Sequence, residues 1–240
     1  MSNPTAAMLV IGDEILSGRT RDANMHHLAN ELTGKGIDLK EVRIVSDDDK
    51  AIIEAVQALS AAYDHVFTSG GIGPTHDDIT ADCVAWAFDR SIDVRPDARA
   101  ILQDHYDRQG TELNEARLRM ARIPDGADLI ENPISAAPGF SVENVHVMAG
   151  VPAIFQAMVA SVLPGLTGGQ PVKSKSARIY RGEGDIAGPL GKIATDYPDL
   201  SIGSYPFQKD GIYGAQIVIR GVDEAAVDAA MSDLNTAFPE

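Results

Sequence analysis

The sequence predicts an α/β protein: a three-layer αβα domain around a mostly parallel sheet, followed by a small α+β domain. Three observations predict it. Strand and helix patterns alternate three times over residues 6–88, each pair joined by a short turn. Such alternation builds a parallel sheet with helices on both faces. The first and third strand patterns are short runs that end in glycine, and the first is apolar throughout, as strands buried on both faces are. Beyond a stretch rich in Gly, Pro, Ser and Lys, the order changes to β-α-β-β-α.

The elements follow in order. Ala6 to Ile11 is a continuous apolar strand that stops at Gly12-Asp13-Glu14. Asn24 to Lys35 reads as a helix, with Met25, Leu28, Ala29 and Leu32 on one stripe and Gly34 and Gly36 at its end. Leu39 to Val45 is a second strand. Asp47-Asp48-Asp49 then opens a helix to Tyr63, and acids in a first turn suit the helix dipole. His65 to Ser69 is a third strand, ended by Gly70-Gly71-Ile72-Gly73-Pro74, with a helix from Asp78 to Phe88. Helical stretches are expected at 96–108 and 112–122, and short strands at 128–131, 139–142 and 145–148. A helix with Pro152 at its start runs to Leu163. Pro164 to Ser176 reads as a linker, which places the domains at 1–168 and 173–240. The second domain is a strand at 177–180, a helix at 185–195 despite Gly188-Pro189, strands at 200–205 and 213–220, and a helix at 222–238.

The 240 residues include 20 Lys plus Arg and 35 Asp plus Glu, a net charge of −15. That balance argues against nucleic-acid binding through a basic field and against a polybasic membrane-surface protein. The single cysteine, Cys83, allows no disulfide within the chain and no Cys-based zinc site, and fits a reducing compartment. Met1 to Thr5 is short, polar and without basic residues, unlike a signal peptide. No apolar run approaches the roughly 18 residues of a membrane span. A cytoplasmic protein is expected. The excess acid either serves solubility or marks a site that holds a cation.

In an open α/β sheet, ligands bind outside the carboxyl ends of the strands. Three acidic clusters fall there: Asp13-Glu14, Asp47 to Asp49, and Asp77-Asp78. The third lies in Ser69-Gly70-Gly71-Ile72-Gly73-Pro74-Thr75-His76-Asp77-Asp78-Ile79-Thr80. Its glycines let the backbone approach a ligand, and the helix start behind it offers N–H groups to an anion. It is neither a Walker loop, lacking Gly-Lys-Ser/Thr, nor G-x-G-x-x-G. The same residues also suit a plain Gly-rich turn capped by Asp77, with Asp78 solvated in the first helical turn. Arg119 and Arg122, three apart, share one side of the expected helix and meet either substrate phosphates or solvent. His76 is the histidine best placed for ligand contact. Trp86 and Met120 read as core.

Two segments carry a family resemblance. Gly12-Asp13-Glu14-Ile15-Leu16-Ser17-Gly18 with Asn24 is similar to the G-D-E-[IL]-L-x-G…N signature of the competence/damage-inducible protein A family. Gly70 to Thr80 matches that family's G-G-[LI]-G-P-T-x-D-D-[IV]-T signature throughout. The resemblance covers residues 6–165. It implies a molybdopterin-binding-type fold, as in molybdenum-cofactor biosynthesis, with a KH-like module behind it. It implies a small nucleotide or pterin ligand, held by Gly12, Asp13, Glu14, Asn24, Gly70, Gly71, Gly73, Pro74, Thr75, Thr80, Pro138, Gly139 and Gly150. Asp77 and Asp78 would serve catalysis, Asp13 and Asp78 a divalent metal (Mg, Mn or Co), and the chain would form a homo-oligomer. The activity implied is metal-dependent hydrolysis of ADP-ribose or a similar pyrophosphate. The alternatives are a molybdopterin-binding or adenylyl-transferring protein and a non-catalytic nucleotide-binding protein. The sequence stops at Glu240, so the amidohydrolase activity of longer members is not expected of it.

Two segments depart from the family pattern. Ser135 and Ala136 stand where Gly and a hydroxyl residue are usual, and Ile154 stands where an acid is usual. Gly188-Pro189-Leu190-Gly191 spells the G-x-x-G of an RNA-binding KH loop, but only Lys192 adjoins it and residues 171–240 carry a charge of −3. The module is therefore read as structural or oligomer-forming, with no nucleic-acid partner.

Overall fold

The computed structural model describes residues 3–209 and 211–239. Part of the Met1–Thr5 segment and the last residue of the second expected domain lie outside the described residues. The chain divides into two compact units, Met1–Gly169 and Gln170–Glu240.

The large unit begins with β1 (Thr5–Ile11), a short α1 (Asp13–Leu16), α2 (Asn24–Lys35), β2 (Asp38–Val45), α3 (Asp49–Ala62), β3 (His65–Ser69) and α4 (Thr80–Ala87). It continues with β4 (Ile92–Val94), α5 (Pro96–Arg108), α6 (Glu115–Leu118), β5 (Arg122–Pro124), β6 (Asp128–Ile130), β7 (Gly139–Val142), β8 (Val145–Met148) and α7 (Pro152–Val162). Six strands form one sheet in the order β2-β1-β3-β8-β7-β6. The pairs β1–β2, β1–β3 and β3–β8 are parallel, and β7 and β6 run antiparallel.

The apolar run of β1 shows why the sheet has three layers. Ala7, Leu9 and Ile11 enter one core with α3, α4 and α5, whereas Ala6, Met8 and Val10 enter another with α2 and α7. Alternate residues of a strand point to opposite faces, so a run apolar at every position requires cover on both sides. The chain leaves β1 toward β2 on one side and returns through α3 to β3 on the other. The order reverses between β1 and β3, the switch point at which an open α/β sheet forms its ligand crevice.

Two expected elements differ. Residues 112–122 are not one helix. Asn114 caps the four-residue α6, a 3₁₀ turn spans Arg119–Ala121, and β5 then pairs antiparallel with β4. Pro124 disfavours helical backbone at Ile123, whose side chain is buried on the sheet instead. The expected linker also ends earlier, because a strand starts at Lys173. Lys and Ser alternate along it, a pattern common at sheet edges and easily read as loop.

The small unit contains β9 (Lys173–Ile179), α8 (Glu183–Asp196), β10 (Ser201–Lys209), β11 (Ile212–Gly221) and α9 (Glu224–Ala237). Its antiparallel sheet has the order β10-β11-β9 and packs one face against both helices through Ile179, Ile217, Ile186, Val227 and Leu234. Gly188-Pro189-Leu190-Gly191 lies within α8, so it forms no loop between two helices. Among the described residues, no helix is long and apolar enough to cross a membrane.

Candidate functional site

The site grows from the glycines after β3. Gly70 has φ +112° and Gly71 φ +69°, a backbone that residues with a Cβ rarely adopt. A Cβ on Gly70 would overlap the carbonyl oxygen of Ile11 at the end of β1. The Gly70 N–H donates to Met148 O at the end of β8 (3.1 Å), and Gly150 packs against its Cα. Three strand ends thus converge on one residue with no side chain.

Asp78 does not lie in the first turn of α4, and Asp77 caps nothing. The helix starts at Thr80, behind an Ile79 N-cap without a side-chain bond. The Asp78 carboxylate instead accepts the Thr75 N–H (2.8 Å) and the Thr75 hydroxyl (2.6 Å), stapling the loop. Thr80 closes the other end: its N–H donates to Gly71 O (2.9 Å). That amide, one of the donors expected to serve an anion, is already occupied. Thr80 is fully buried, and its hydroxyl has no partner among the described residues.

The loop forms one wall of a cavity of about 510 Å³, in the size range of small-molecule sites. Gly12, Glu14, Asp47, Gly70, Gly71, Gly73, Pro74, Asp77, Asp78 and Gly150 line it, so most of the expected residues meet. Among the described residues, no Lys, Arg or His lines it. Asp47 was not singled out from its cluster by the sequence. Asp48 caps α3 by accepting the Ala51 N–H (2.9 Å), Asp49 sits in its first turn, and Asp47 turns to the cavity. Asp47 accepts the Asp13 N–H (2.9 Å). Burial pushes its carboxyl pKa up, the Asp13 N–H opposes this, and the charges of Asp13, Glu14 and Asp77 push it further. Acids from three strand ends are therefore felt at one group.

Other expected residues stand behind or beside the cavity. Asn24 is buried and donates to Ser69 Oγ and Gly150 O (both 2.8 Å), tying the ends of β3 and β8 together; with Glu14 it lines an adjoining space of about 70 Å³. Asp13 is exposed and reaches the site through its backbone. Thr75 is the loop staple. Gly139 is buried in β7, where a Cβ would overlap Val147 O. Pro138 lines a pocket of about 20 Å³ with Asp78, Asp82, Arg119 and Arg122. His76 is fully exposed, 3.9 Å from Asp77, and does not line the cavity.

The arginines do not form a solvated helix face. Arg122 holds Asp82 through both guanidinium nitrogens (2.8 and 2.6 Å), and Arg119 donates to Asp78 O (3.3 Å). Met120 lines the cavity while also packing on the core, and Trp86 is exposed rather than core. Cys83 is buried, and burial pushes its thiol up to about 12, which makes it inert. Ser135 and Ile154 both line the cavity, so each segment that departs from the family pattern reaches the site, whereas Ala136 does not line it.

Among the described residues, no three His, Cys, Asp or Glu are grouped to hold an ion. The donors fit a hard cation in kind but not in number. Mg²⁺ commonly uses one or two carboxylates plus phosphate oxygens of its substrate, and that sharing is the arrangement these residues allow.

A family model described as a probable molybdopterin binding domain matches residues 7–168. The chain belongs to that family. Residues 171–240 match the middle domain of FAD synthase. A protein of Archaeoglobus fulgidus is 33% identical over 199 residues, 83% of this chain and 84% of that protein. A protein named probable FAD synthase of Caenorhabditis elegans is 30% identical over 257 residues, 96% of this chain, but the chain spans only 49% of its length. The crystal structure of the protein CinA, of unknown function, from Thermoplasma acidophilum matches with a TM-score of 0.63 and 32% identity, over 69% of this chain and 99% of that one. The fold is thus CinA-like.

Proposed function

We propose that the large unit binds a nucleotide pyrophosphate, ADP-ribose or a similar dinucleotide-like compound, and hydrolyses it with a divalent cation. The observation that carries this reading is the cavity: a floor of glycine backbone, carboxylates from three strand ends, and no cationic side chain. Glycines admit phosphate close to the main chain. The carboxylates would hold the cation jointly with the phosphates, and the cation would offset charge on the pyrophosphate. Asp47, whose pKa is raised, is suited to accept a proton from the attacking water. Water adds to one phosphorus, the bridging oxygen leaves with the other phosphate, and ADP-ribose would give AMP and ribose 5-phosphate. Asp78 holds the loop through one carboxylate oxygen and would offer the other to the cation.

The test is product release from ADP-ribose, FAD and NAD with Mg²⁺, Mn²⁺ or Co²⁺. Asp78→Asn keeps an oxygen to accept from Thr75, so it should fold, yet lose metal-dependent turnover. Unchanged turnover sinks the assignment. The FAD synthase likeness and Ile154 at the cavity wall favour a second reading, nucleotide binding or adenylyl transfer without hydrolysis. It predicts a bound nucleotide and no cleavage with any of the three metals.

A further inference from the structure

The small unit carries an aromatic and cationic surface of its own. Within the unit, one face of its sheet packs against helices. Ala177, Ile179, Ala215, Ile217 and Ile219 pack against α8 and α9. Alternation then sends Arg178, Tyr205, Phe207 and Gln216 to the opposite face. The register keeps them together: Gln216 pairs with both Tyr205 and Arg178, and Gly214 with Phe207.

Two glycines shape this face. A Cβ on Gly203 would lie 2.9 Å from Tyr205 Cε2, and a Cβ on Gly214 would lie 2.8 Å from Phe207 Cζ. Each ring therefore folds down over a residue without a side chain instead of standing out from the sheet. Tyr180 meets Phe207 edge-on with centroids 5.7 Å apart, and the Arg178 guanidinium lies 5.8 Å from the Phe207 centroid. Tyr205 is 53% exposed. By the same alternation Arg178 and Arg220 are cations of this face, whereas Lys175 lies on the covered face and pairs with Asp228 of α9; the three strands carry no Asp or Glu, although residues 171–240 sum to −3.

We propose that this open face binds a free nucleotide, with its planar base stacked on Tyr205 and Phe207 and its phosphate paired with Arg178. Aromatic side chains stack on any base, and a guanidinium matches phosphate geometry. A nucleic-acid strand fits less well. Strand binders neutralise on the order of 6–10 phosphates, whereas this sheet's few cations sit in a chain of net charge −15. The proposal belongs to the small unit and stands whether or not the large unit hydrolyses anything.

The test uses the full chain, isotope-labelled, titrated with AMP, FMN and adenosine while amide signals are followed. AMP and FMN should shift Gly203, Gly214 and Gln216. Tyr205→Ala with Phe207→Ala should weaken binding roughly tenfold or more, and Phe207→Tyr should retain it. Should the double alanine variant lose its helix signals, Tyr205→Leu alone carries the same expectation. Arg178→Gln should abolish the preference for AMP over adenosine. Undiminished AMP binding in the ring variants, or shifts confined to Met1–Gly169, overturns the proposal. So does a twelve-nucleotide single strand binding more than tenfold tighter than AMP, which would assign the face to a strand.

Discussion

Gly70→Ala tests the construction of the site most directly. The substitution adds one methyl group at φ +112°, where it overlaps Ile11 O and comes within 3.3 Å of Ile11 C. Both atoms are backbone at the end of a central strand, held there by pairing of Ile11 with Val45 of β2, so neither can swing away. Unfavourable backbone adds about 1–3 kcal/mol and the overlap about as much again, while the stiffer unfolded chain returns roughly 0.4–1 kcal/mol. The net loss is about 2–5 kcal/mol, or on the order of 4–20 °C in Tm for a chain of this size. Gly73→Ala is the control. Its φ is not positive, and its Cβ would meet the Asp78 carboxylate, at 2.6 Å from Oδ2, which can rotate. It should cost no more than about 1 kcal/mol but break the Thr75–Asp78 staple. Melting curves and nucleotide titrations on both variants separate the effects. Gly70→Ala should melt early, whereas Gly73→Ala should melt near the parent and bind poorly. A Gly70→Ala protein that melts with the parent refutes the convergence of β1, β3 and β8 on Gly70.

Arg122→Ala leaves the half-buried Asp82 without its bidentate partner; the pair is 29% and 16% exposed, so the loss is about 1–3 kcal/mol, and Asp82→Ala in the same chain should recover part of it. Urea unfolding of the double-mutant cycle reads the coupling, and strictly additive losses contradict the pairing. His146 is buried, and burial first, then His65, lowers its pKa to about 4. Above pH 6.5 it is neutral in both states; as pH falls from there to 4 only the unfolded chain takes the proton, so stability falls by about 3 kcal/mol over that window. His146→Gln should flatten that part of the pH–stability curve, and an unchanged slope counts against the assignment. Asp47 has the opposite sign: a raised pKa stabilises the fold only at low pH, and the charge costs stability as pH rises past the ordinary carboxyl value. Asp47→Asn should therefore raise Tm at pH 7 while lowering turnover, and a lower Tm would show that the carboxylate is held by favourable contacts.

Much of the site was legible because strand ends are legible. Short strand patterns stopping at Gly12 and Gly70 located two of them, and the acids after each followed. Which acid of Asp47-Asp48-Asp49 faces the cavity was not legible. The answer depends on Asp48 taking the N-cap and on the Asp13 N–H, 34 residues away, meeting Asp47. Residues 119–122 misled for a related reason. Their helical spacing is real, but pairing of β5 with β4 outweighs it and redirects Arg122 to Asp82. The start of β9 was hidden by its own chemistry, since a strand written in Lys and Ser has no apolar alternation to read. The rings on the small unit's open face needed the register, because nothing in sequence places Gly214 beneath Phe207.

A net charge of −15 is an average over surfaces of opposite character. In the large unit, acids from three strand ends meet around a cavity that no Lys, Arg or His among the described residues lines, and burial first, then the charges of Asp13, Glu14 and Asp77, raises the pKa of Asp47. Two unit charges 4 Å apart interact by about 4 kcal/mol at an effective dielectric of 20, so a bare pyrophosphate would be repelled from such a wall. An anionic ligand enters only with a cation, or with protons, that changes the sign of the local field. In the small unit the sheet strands hold cations and no acids, and the acids belong to the helices and connecting segments. Net charge therefore argues correctly against a long polyanion, whose phosphates sample the whole surface. It does not decide the fate of a single nucleotide, which meets one face at a time.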